Sequence, residues 1–340
     1  MNVSNFGVDI GNMNSKTVHT STPSGFSEHE KKPFSTDEYL FYNGKYYIPE
    51  SERFPYLKDK TQNEHAFILT LMALGKEILY RAELNHKTKK TKAEKNPALK
   101  DKVISIQEEI NRYTVINLGV GVPPIHFSSL MQPTLDYYKT HFADGVSFIY
   151  NDYNFNLKLN ECACYAQDLA AVVSYPKKKD TDSVVNFSSY YAIDIGGQTV
   201  DAITFINGRI DLKKCDTKTI GVLTMYEGIV RDIEADTGKH LSKDLIERVL
   251  RNEPTILSEE IKLLIQKHAG NWLNYILGSL IQFGMDFDSY PVLFIGGGSL
   301  LFKRFIDEYH LVKYEFINNP NANALGYEMM IKRSTSTSKE

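Results

Sequence analysis

The pattern of apolar and polar positions divides the chain into two halves that begin in the same way. Asn5 to Ile10 has the pattern of an apolar strand, which leads into a glycine turn and a second strand from Thr17 onward. From Tyr190 the same order returns, with a strand, a glycine turn, a strand and an Asn-Gly turn at Asn207-Gly208. We therefore predict two similar halves with a cleft between them, where ligands commonly bind.

The first half is predicted to mix short strands with helices. Phe41 to Tyr47 carries Asn-Gly between aromatic residues, which is a strong hairpin signal. Apolar residues recur at the spacing of one helix face between Asn63 and Leu84, and Val115 to Val122 is typical of a buried central strand. The remaining elements predicted for this half are a helix near Pro133 to Phe142, two strands from Ser147 to Leu159, and an alanine-rich helix from Glu161 to Tyr175.

The second half is predicted to be mainly helical after its opening strands. Pro291 to Ile295 and Tyr314 to Ile317 have the pattern of further strands. Lys177 to Asp182 is predicted to be a charged linker, and Ser334 to Glu340 a short, polar, disordered tail. The predicted halves, and the smaller subdomains inserted into them, are residues 1–175 and 176–340, with insertions at about 30–105 and about 222–288.

The composition fits a packed protein without a general electrostatic partner. Hydrophobic residues make up 42% of the 340 positions, and the formal net charge is −3. That charge gives no overall attraction to nucleic acid or to an anionic membrane. The sequence shows neither a signal-peptide pattern nor an apolar run of membrane-spanning length, so we expect a cytoplasmic protein.

The cysteines do not indicate a disulfide framework. The chain has three, Cys162, Cys164 and Cys215, and two of them stand one residue apart in an apolar stretch. An odd number in this arrangement favours ordinary buried thiols in a reducing compartment.

One segment, His86 to Lys102, is strongly basic and holds seven lysines together with Pro97. Runs of charge are usually solvated, which predicts an exposed loop or a solvated extension of the preceding helix. The alternative is a basic patch that contacts DNA or a partner filament. The sequence leaves both interpretations open.

Three glycine turns each follow an apolar strand, and they span Val8 to Lys16, Ile193 to Asp201 and Phe294 to Ser299. Glycine permits positive φ and lets backbone N–H groups approach an anion closely, and hydroxyl and amide side chains add further donors. The candidate phosphate-binding residues of the three turns are Gly11, Asn12, Ser15, Lys16, Gly196, Gly197, Gln198, Thr199, Gly296, Gly297, Gly298 and Ser299.

Two aspartates end their strands at equivalent points of the two halves, Asp9 and Asp194. Carboxylates that converge on a polyphosphate would repel it unless a cation lies between them. Mg²⁺ suits this position, because it prefers oxygen ligands and keeps several waters. Lys16 adds a positive charge able to lie against a β- or γ-phosphate oxygen. The pattern is neither a P-loop nor a Rossmann fingerprint, because it lacks the glycine spacing of both.

On these residues the chain resembles the actin, Hsp70 and hexokinase superfamily. The first turn is similar to the superfamily's phosphate-1 motif, the second to phosphate-2, and Phe294 to Ser299 to its adenosine motif. Glu161 to Val173 stands where the first connecting helix is expected, and Ala322 to Tyr327 where the second is expected. Within the superfamily the chain most resembles the ParM/StbA plasmid-segregation actins, although the segment 86–102 is longer than usual there.

The resemblance implies an α/β, actin-like fold with two ribonuclease-H-like halves around a nucleotide cleft. Asp9 and Asp194 would hold Mg²⁺, through water, and Lys16 would contact phosphate. Glu161 would position the attacking water, although an acidic residue near a helix N-terminus is also favourable for the helix dipole alone. The catalytic group implied in this way is Glu161, Asp194 and Lys16. Gly296 to Ser299 would pass beneath the nucleoside, with the helix Lys243 to Arg251 as the other wall.

The function implied is that of a bacterial, cytoplasmic, filament-forming hydrolase of ATP or GTP. Its expected partners are further copies of itself and a DNA-binding adaptor protein on a plasmid centromere, with no membrane and no direct DNA binding. The alternatives are a non-polymerising ATPase and a small-molecule kinase of the same superfamily. A kinase would need a substrate pocket with its own acid or base residue, and the sequence offers no convincing candidate.

Overall fold

The structure is a computed structural model that describes residues 3–34, 38–50, 54–55, 57–175, 182–309 and 311–337. The chain divides into two compact units. One unit comprises residues 1–174 and 321–340, and the other comprises residues 175–320. The second half was predicted to run to residue 340, and that prediction is wrong because the chain returns to the first unit at residue 321.

The first unit is built on a mixed sheet with helices packed against it. Its strands are β1 (Val3–Gly7), β2 (Asp9–Ile10), β3 (Asn14–Lys16), β4 (Ser21–Pro23), β5 (Phe26–His29), β6 (Leu40–Tyr42), β7 (Lys45–Pro49), β8 (Val115–Val122), β9 (Val146–Tyr150) and β10 (Tyr153–Ala166). The helices before residue 175 are α1 (His65–Lys95), α2 (Ile106–Ile110), α3 (Phe127–His141) and α4 (Leu169–Ser174). One sheet runs in the order β1-β8-β10-β9-β6-β7-β5, and β2, β3 and β4 form a separate small sheet.

The central strand β8 and the hairpin of β6 and β7 follow the sequence predictions. β8 lies between β1 and β10, parallel to both, and its apolar side chains are buried in the core. β6 and β7 are antiparallel neighbours joined by Asn43 and Gly44, whose φ angles are 49° and 78°. Positive φ at both central residues is the geometry that favours Asn-Gly in a two-residue hairpin. Both predictions are therefore confirmed.

The helix predicted from Asn63 is present but longer than its apolar pattern. α1 continues to Lys95, so much of the lysine-rich segment is a helical extension, followed by a 3₁₀ turn at Pro97–Lys102. Most lysines of the segment are exposed. Lys89 differs, because it forms an ion pair with the fully buried carboxylate of Glu109.

The alanine-rich helix predicted from Glu161 to Tyr175 is wrong over its first part. β10 continues to Ala166, and the helix, α4, begins only at Leu169. Side chains alternate along this part of β10: Cys162, Cys164 and Ala166 are buried, whereas Glu161 is exposed. Pairing with β8 over its whole length holds the segment as a strand, because small buried side chains fit the face of a covered sheet.

The second unit has its own sheet and its own core. Its strands are β11 (Ser189–Ile195), β12 (Val200–Ile206), β13 (Arg209–Ile210), β14 (Asp216–Lys218), β15 (Val292–Ile295) and β16 (Tyr314–Phe316). Its helices are α5 (Val222–Thr237), α6 (Lys243–Leu250), α7 (Glu259–Phe283), α8 (Gly296–Leu301) and α9 (Lys303–Asp307). The sheet runs in the order β13-β12-β11-β15-β16, with β14 also paired to β12, and α5, α6 and α7 pack into one apolar cluster with it.

The last helix, α10 (Ala322–Thr337), packs in the first unit against β1, β8 and α4. Glycines permit the close approach: a Cβ on Gly7 would lie 1.9 Å from the Ala324 carbonyl oxygen, and one on Gly326 would lie 1.9 Å from that of Ala170. The predicted disordered tail from Ser334 is therefore wrong as far as residue 337, where the chain is helical. Residues 338–340, and 177–181 of the predicted linker, lie outside the described residues.

The cysteines and the helices give two further results. Cys162, Cys164 and Cys215 are buried and free, as predicted. Among the described residues, none of the helices combines the length and the apolar character needed to span a membrane.

Candidate functional site

The first glycine turn joins β2 to β3 in the first unit. Asp9 on β2 pairs with Lys16 on β3, and Asp9 is buried while Lys16 is partly exposed. A Cβ on Gly11 would lie 2.7 Å from the carbonyl oxygen of Asn14, so the turn requires glycine at this position. The hairpin thus sets a carboxylate and an ammonium group opposite each other beside a glycine backbone.

Ser15 does not present its hydroxyl as the sequence predicted. Its side chain is fully buried and lies 3.0 Å from the hydroxyl of Ser24, which in turn donates to the Gly11 carbonyl at 2.6 Å. Strand alternation causes this, because neighbouring side chains of β3 point to opposite faces. The buried Ser15 hydroxyl therefore stabilises the turn through its hydrogen bond with Ser24.

A second lysine, Lys60, was missed by the sequence analysis. Its ammonium group donates to the carbonyl of Ile10, directly before Gly11. Burial lowers the pKa of this ammonium group to about 8, and the charge of Asp9 acts in the opposite direction. Lys60 lines a cavity of about 40 Å³ beside the turn, together with Gly11 and Asn12. The sequence carries no signal for this contact, because fifty positions separate the two residues.

The residue whose side chain contacts Asp9 is Gln167, directly after β10, and not Glu161. Gln167 follows the last residue of β10, and its amide nitrogen donates to an Asp9 carboxylate oxygen at 3.3 Å. Glu161 lies six residues earlier, exposed on β10 and opposite Asn117 of β8. The position expected for Glu161 at the start of a connecting helix is therefore corrected. Cys162 to Ala166 are all apolar in type, so no alternation of polar and apolar residues in the sequence marks this part of β10.

The second glycine turn lies between β11 and β12 and is fixed by backbone hydrogen bonds. Gly196 N–H donates to the Thr199 carbonyl at 2.9 Å, and the Gly196 and Gly197 carbonyls accept from the first residues of α5 at 3.1 and 2.8 Å. A Cβ on Gly221 would lie 2.4 Å from the Gly197 carbonyl. The turn and the start of α5 are thus one packed unit.

Asp201 is a further acidic residue at this turn that the sequence analysis did not single out. It stands opposite Asp194 across β11 and β12, and it is buried. It accepts hydrogen bonds from the hydroxyls of Thr217 at 2.6 Å and Thr199 at 3.1 Å. Its pKa is raised to about 6, first by burial and then by the charge of Asp194, against the effect of these hydrogen bonds. The Thr199 proton is therefore directed to Asp201, whereas the sequence predicted a donor to phosphate.

The third glycine segment begins a helix instead of forming an open loop. α8 starts at Gly296, whose φ is 86°, and a Cβ there would lie 1.9 Å from the Asp194 carboxylate. One on Gly298 would lie 2.5 Å from the Ile195 carbonyl. These glycines let the chain pass closely behind the second turn. Ser299 is buried and donates to the Ile295 carbonyl, so its hydroxyl faces its own helix, contrary to prediction.

The residues of the second turn fit a hydrated cation. Asp194 and Asp201 are like charges directly opposite each other, an arrangement that a cation would stabilise. The side-chain oxygen of Gln198 is buried and finds no hydrogen-bond partner among the residues that the structure describes. Within the same residues, no three His, Cys, Asp or Glu side chains form a metal cage. A Mg²⁺ ion here would accordingly take most of its ligands from water and phosphate.

Comparisons with known proteins agree with this architecture. Residues 192–308 match a family model described as the C-terminal domain of archaeal actin homologue MreB-like proteins. The search of curated proteins gives no match. Among solved structures, an archaeal actin homolog, Ta0583, matches at a TM-score of 0.70 and 16% identity, over 97% of this chain and 100% of that one. The chain has an actin-like fold.

Other actin-like structures match over nearly the whole chain. The apo pSK41 ParM protein matches at a TM-score of 0.66 and 13% identity, with 100% of both chains covered. A 15-stranded ParM filament from Clostridium botulinum matches at 0.69 and 15%, over 98% of this chain and 100% of that one. At these identities the likeness establishes the fold, and the predicted fold class is confirmed.

Proposed function

We propose that this actin-like chain is a nucleoside triphosphate hydrolase that assembles into filaments. The observation that carries the proposal is the matched pair of glycine turns, each following a strand whose last two residues are Asp and Ile, Asp9-Ile10 in β2 and Asp194-Ile195 in β11. Two proteins of the same fold support it, since Ta0583 has been solved with ADP and the AlfA filament with AMPPNP.

The roles of the residues follow from their chemistry. Asp9 and Asp194, with Asp201 behind the second turn, would hold a hydrated Mg²⁺ ion, which would neutralise the charge that develops on the phosphates. Lys16 and Lys60 would place positive charge at the first turn. Gln167 would orient the attacking water, because its amide can donate to Asp9 and accept from water at the same time. Hydrolysis of this kind needs positioned groups more than covalent chemistry.

The finer function is plasmid segregation by polymerisation in a bacterial cytoplasm. ParM, Alp12 and AlfA share the fold, and the solved ParM, Alp12 and AlfA assemblies are filaments. On this proposal the chain binds further copies of itself and an adaptor protein that binds DNA.

Light scattering and phosphate release, followed on one sample, test the proposal. Adding Mg²⁺ with ATP or GTP should raise the scattering, and phosphate release should follow with one of the two nucleotides. EDTA should abolish both signals. Phosphate release without scattering over a range of protein and salt concentrations would favour a non-polymerising ATPase. The absence of both would contradict the proposal.

A further inference from the structure

A fully buried carboxylate in the middle of α1, Glu77, contacts the phosphate-binding hairpin of the first unit. Its oxygens accept four hydrogen bonds. Thr17 Oγ1 donates at 2.6 Å and His19 N–H at 3.2 Å to one oxygen, while His19 Nδ1 at 2.6 Å and Arg81 Nε at 2.7 Å contact the other. Three of these donors belong to Thr17 and His19, directly after β3, so hydrogen bonds to this one side chain link the hairpin to α1.

The point of attachment lies directly beside the predicted phosphate contact. Thr17 follows Lys16, and neighbouring side chains of an extended segment point to opposite sides. Thr17 is directed to α1 and is buried, while Lys16 remains partly exposed on the other side. Because Lys16 also pairs with Asp9 across the hairpin, the position of Thr17 sets the position of both charged residues.

The same carboxylate is connected through Arg81 to β1 and α10 of the first unit. The guanidinium group of Arg81 donates to Glu328 of α10 at 2.7 Å and to the Asn5 carbonyl of β1 at 3.4 Å, and it lies over the ring of Phe6. Glu77 thus joins the hairpin to a rigid framework of strand and helix.

The charge state of Glu77 fits this arrangement. Burial alone would raise the pKa of its carboxyl group, but the hydrogen bonds from Thr17 and His19 and the charge of Arg81 outweigh it, and the pKa is lowered. The carboxylate therefore stays ionised and keeps all four donors at neutral pH.

We propose that Glu77 is a positioning residue for nucleotide binding, which holds Lys16 and Asp9 in place through Thr17 and His19. The inference rests on the proposed nucleotide hydrolase function. Loss of the carboxylate removes the hydrogen bonds from Thr17 and His19 to α1, so that the ammonium group of Lys16 is held less firmly. Affinity for the triphosphate falls, whereas Gln167 keeps its place after β10, where its backbone N–H donates to the Val122 carbonyl at 2.9 Å.

Glu77→Gln, compared with Glu109→Gln, tests the proposal. Glu109 of α2 is an equally buried carboxylate that contacts Lys89, near the C-terminal end of α1, and Arg112. It therefore controls for the general loss of a buried charge. Both substitutions should lower the thermal midpoint. Only Glu77→Gln should weaken binding of a fluorescent ATP analogue with Mg²⁺, by about tenfold, and raise KM while kcat changes by less than about threefold.

A second pair of variants keeps the test decisive if Glu77→Gln fails to fold. Thr17→Val removes only the hydroxyl that donates to Glu77, and Thr17→Ser retains it. Thr17→Val should weaken nucleotide binding, and Thr17→Ser should restore it. Wild-type binding with unchanged affinity in Thr17→Val and Glu77→Gln would overturn this inference alone. A wild-type protein that binds neither ATP nor GTP would overturn the proposed function as well.

Discussion

On the proposed function, Gln167 is a neutral side chain with two roles in orienting water. Its amide nitrogen donates to Asp9, and its amide oxygen would accept a hydrogen bond from the attacking water. A carboxylate at this position would repel both Asp9 and a polyphosphate. The amide avoids that repulsion, and it can orient water without changing its charge.

Gln167→Ala should therefore separate binding from hydrolysis. Nucleotide affinity should change little, because the glycine turns, Lys16 and Lys60 remain. Phosphate release should slow by roughly 10²- to 10³-fold, within the usual contribution of a positioned catalytic group. Glu161→Ala is the matched control on the same strand, and its rate should stay close to that of the wild-type protein, since Glu161 is exposed on β10. Equal losses in both variants would contradict the role assigned to Gln167.

The residues that come together at the site could be predicted only where they lie within one short stretch of sequence. Asp9, Lys16 and Gly11 belong to one turn, so their order alone indicates an anion site. The contact of Glu77 with Thr17 joins positions 60 residues apart, and no local pattern reveals it. Ser15 lies on β3 and Ser299 on α8, so the inward direction of each hydroxyl depends on the element that forms, which the residue type alone does not give.

At the scale of elements, the periodicity of apolar residues predicted the buried strands and long helices. Amino-acid composition gave a wrong prediction where that periodicity was absent. β8 and α1 have strong apolar patterns, and both are present. The segment after Glu161 is rich in alanine, which favours a helix by propensity. Its buried positions nevertheless alternate, and pairing with β8 outweighs propensity there, because strand preference depends on the partner surface.

The lysine-rich end of α1 combines two kinds of lysine, which one pair of substitutions can separate. Lys89 neutralises the buried Glu109, whereas Lys90 is exposed. Lys89→Gln should leave Glu109 with only Arg112, at 3.4 Å, and should cost roughly 1–2 kcal/mol, or about 2–8 °C in thermal midpoint. Lys90→Gln should change the midpoint by less than about 1 °C. Equal midpoints in calorimetry would show that the Lys89 pair contributes nothing to stability.

At the scale of the whole molecule, our proposal gives one chain both a hydrolytic site and the surfaces for self-assembly. A translated interface that does not close on itself generates a filament, and each added copy brings its own nucleotide. If assembly favours the triphosphate state, hydrolysis inside the filament removes that preference and disassembly follows. The lifetime of the filament is then set by the rate at which water attacks the γ-phosphate.

Gln167→Ala filaments should accordingly outlast those of the wild-type protein. Assembly on adding ATP or GTP should proceed normally, because a ligand shifts an equilibrium only by its differential affinity for the two states, and that affinity is unchanged. Scattering should then persist for as long as phosphate release is delayed, and Glu161→Ala should disassemble on the wild-type schedule. Electron microscopy at matched times distinguishes persistent filaments from amorphous aggregates. Normal disassembly together with slow phosphate release would uncouple filament lifetime from hydrolysis and would require another trigger, such as nucleotide exchange at the filament end.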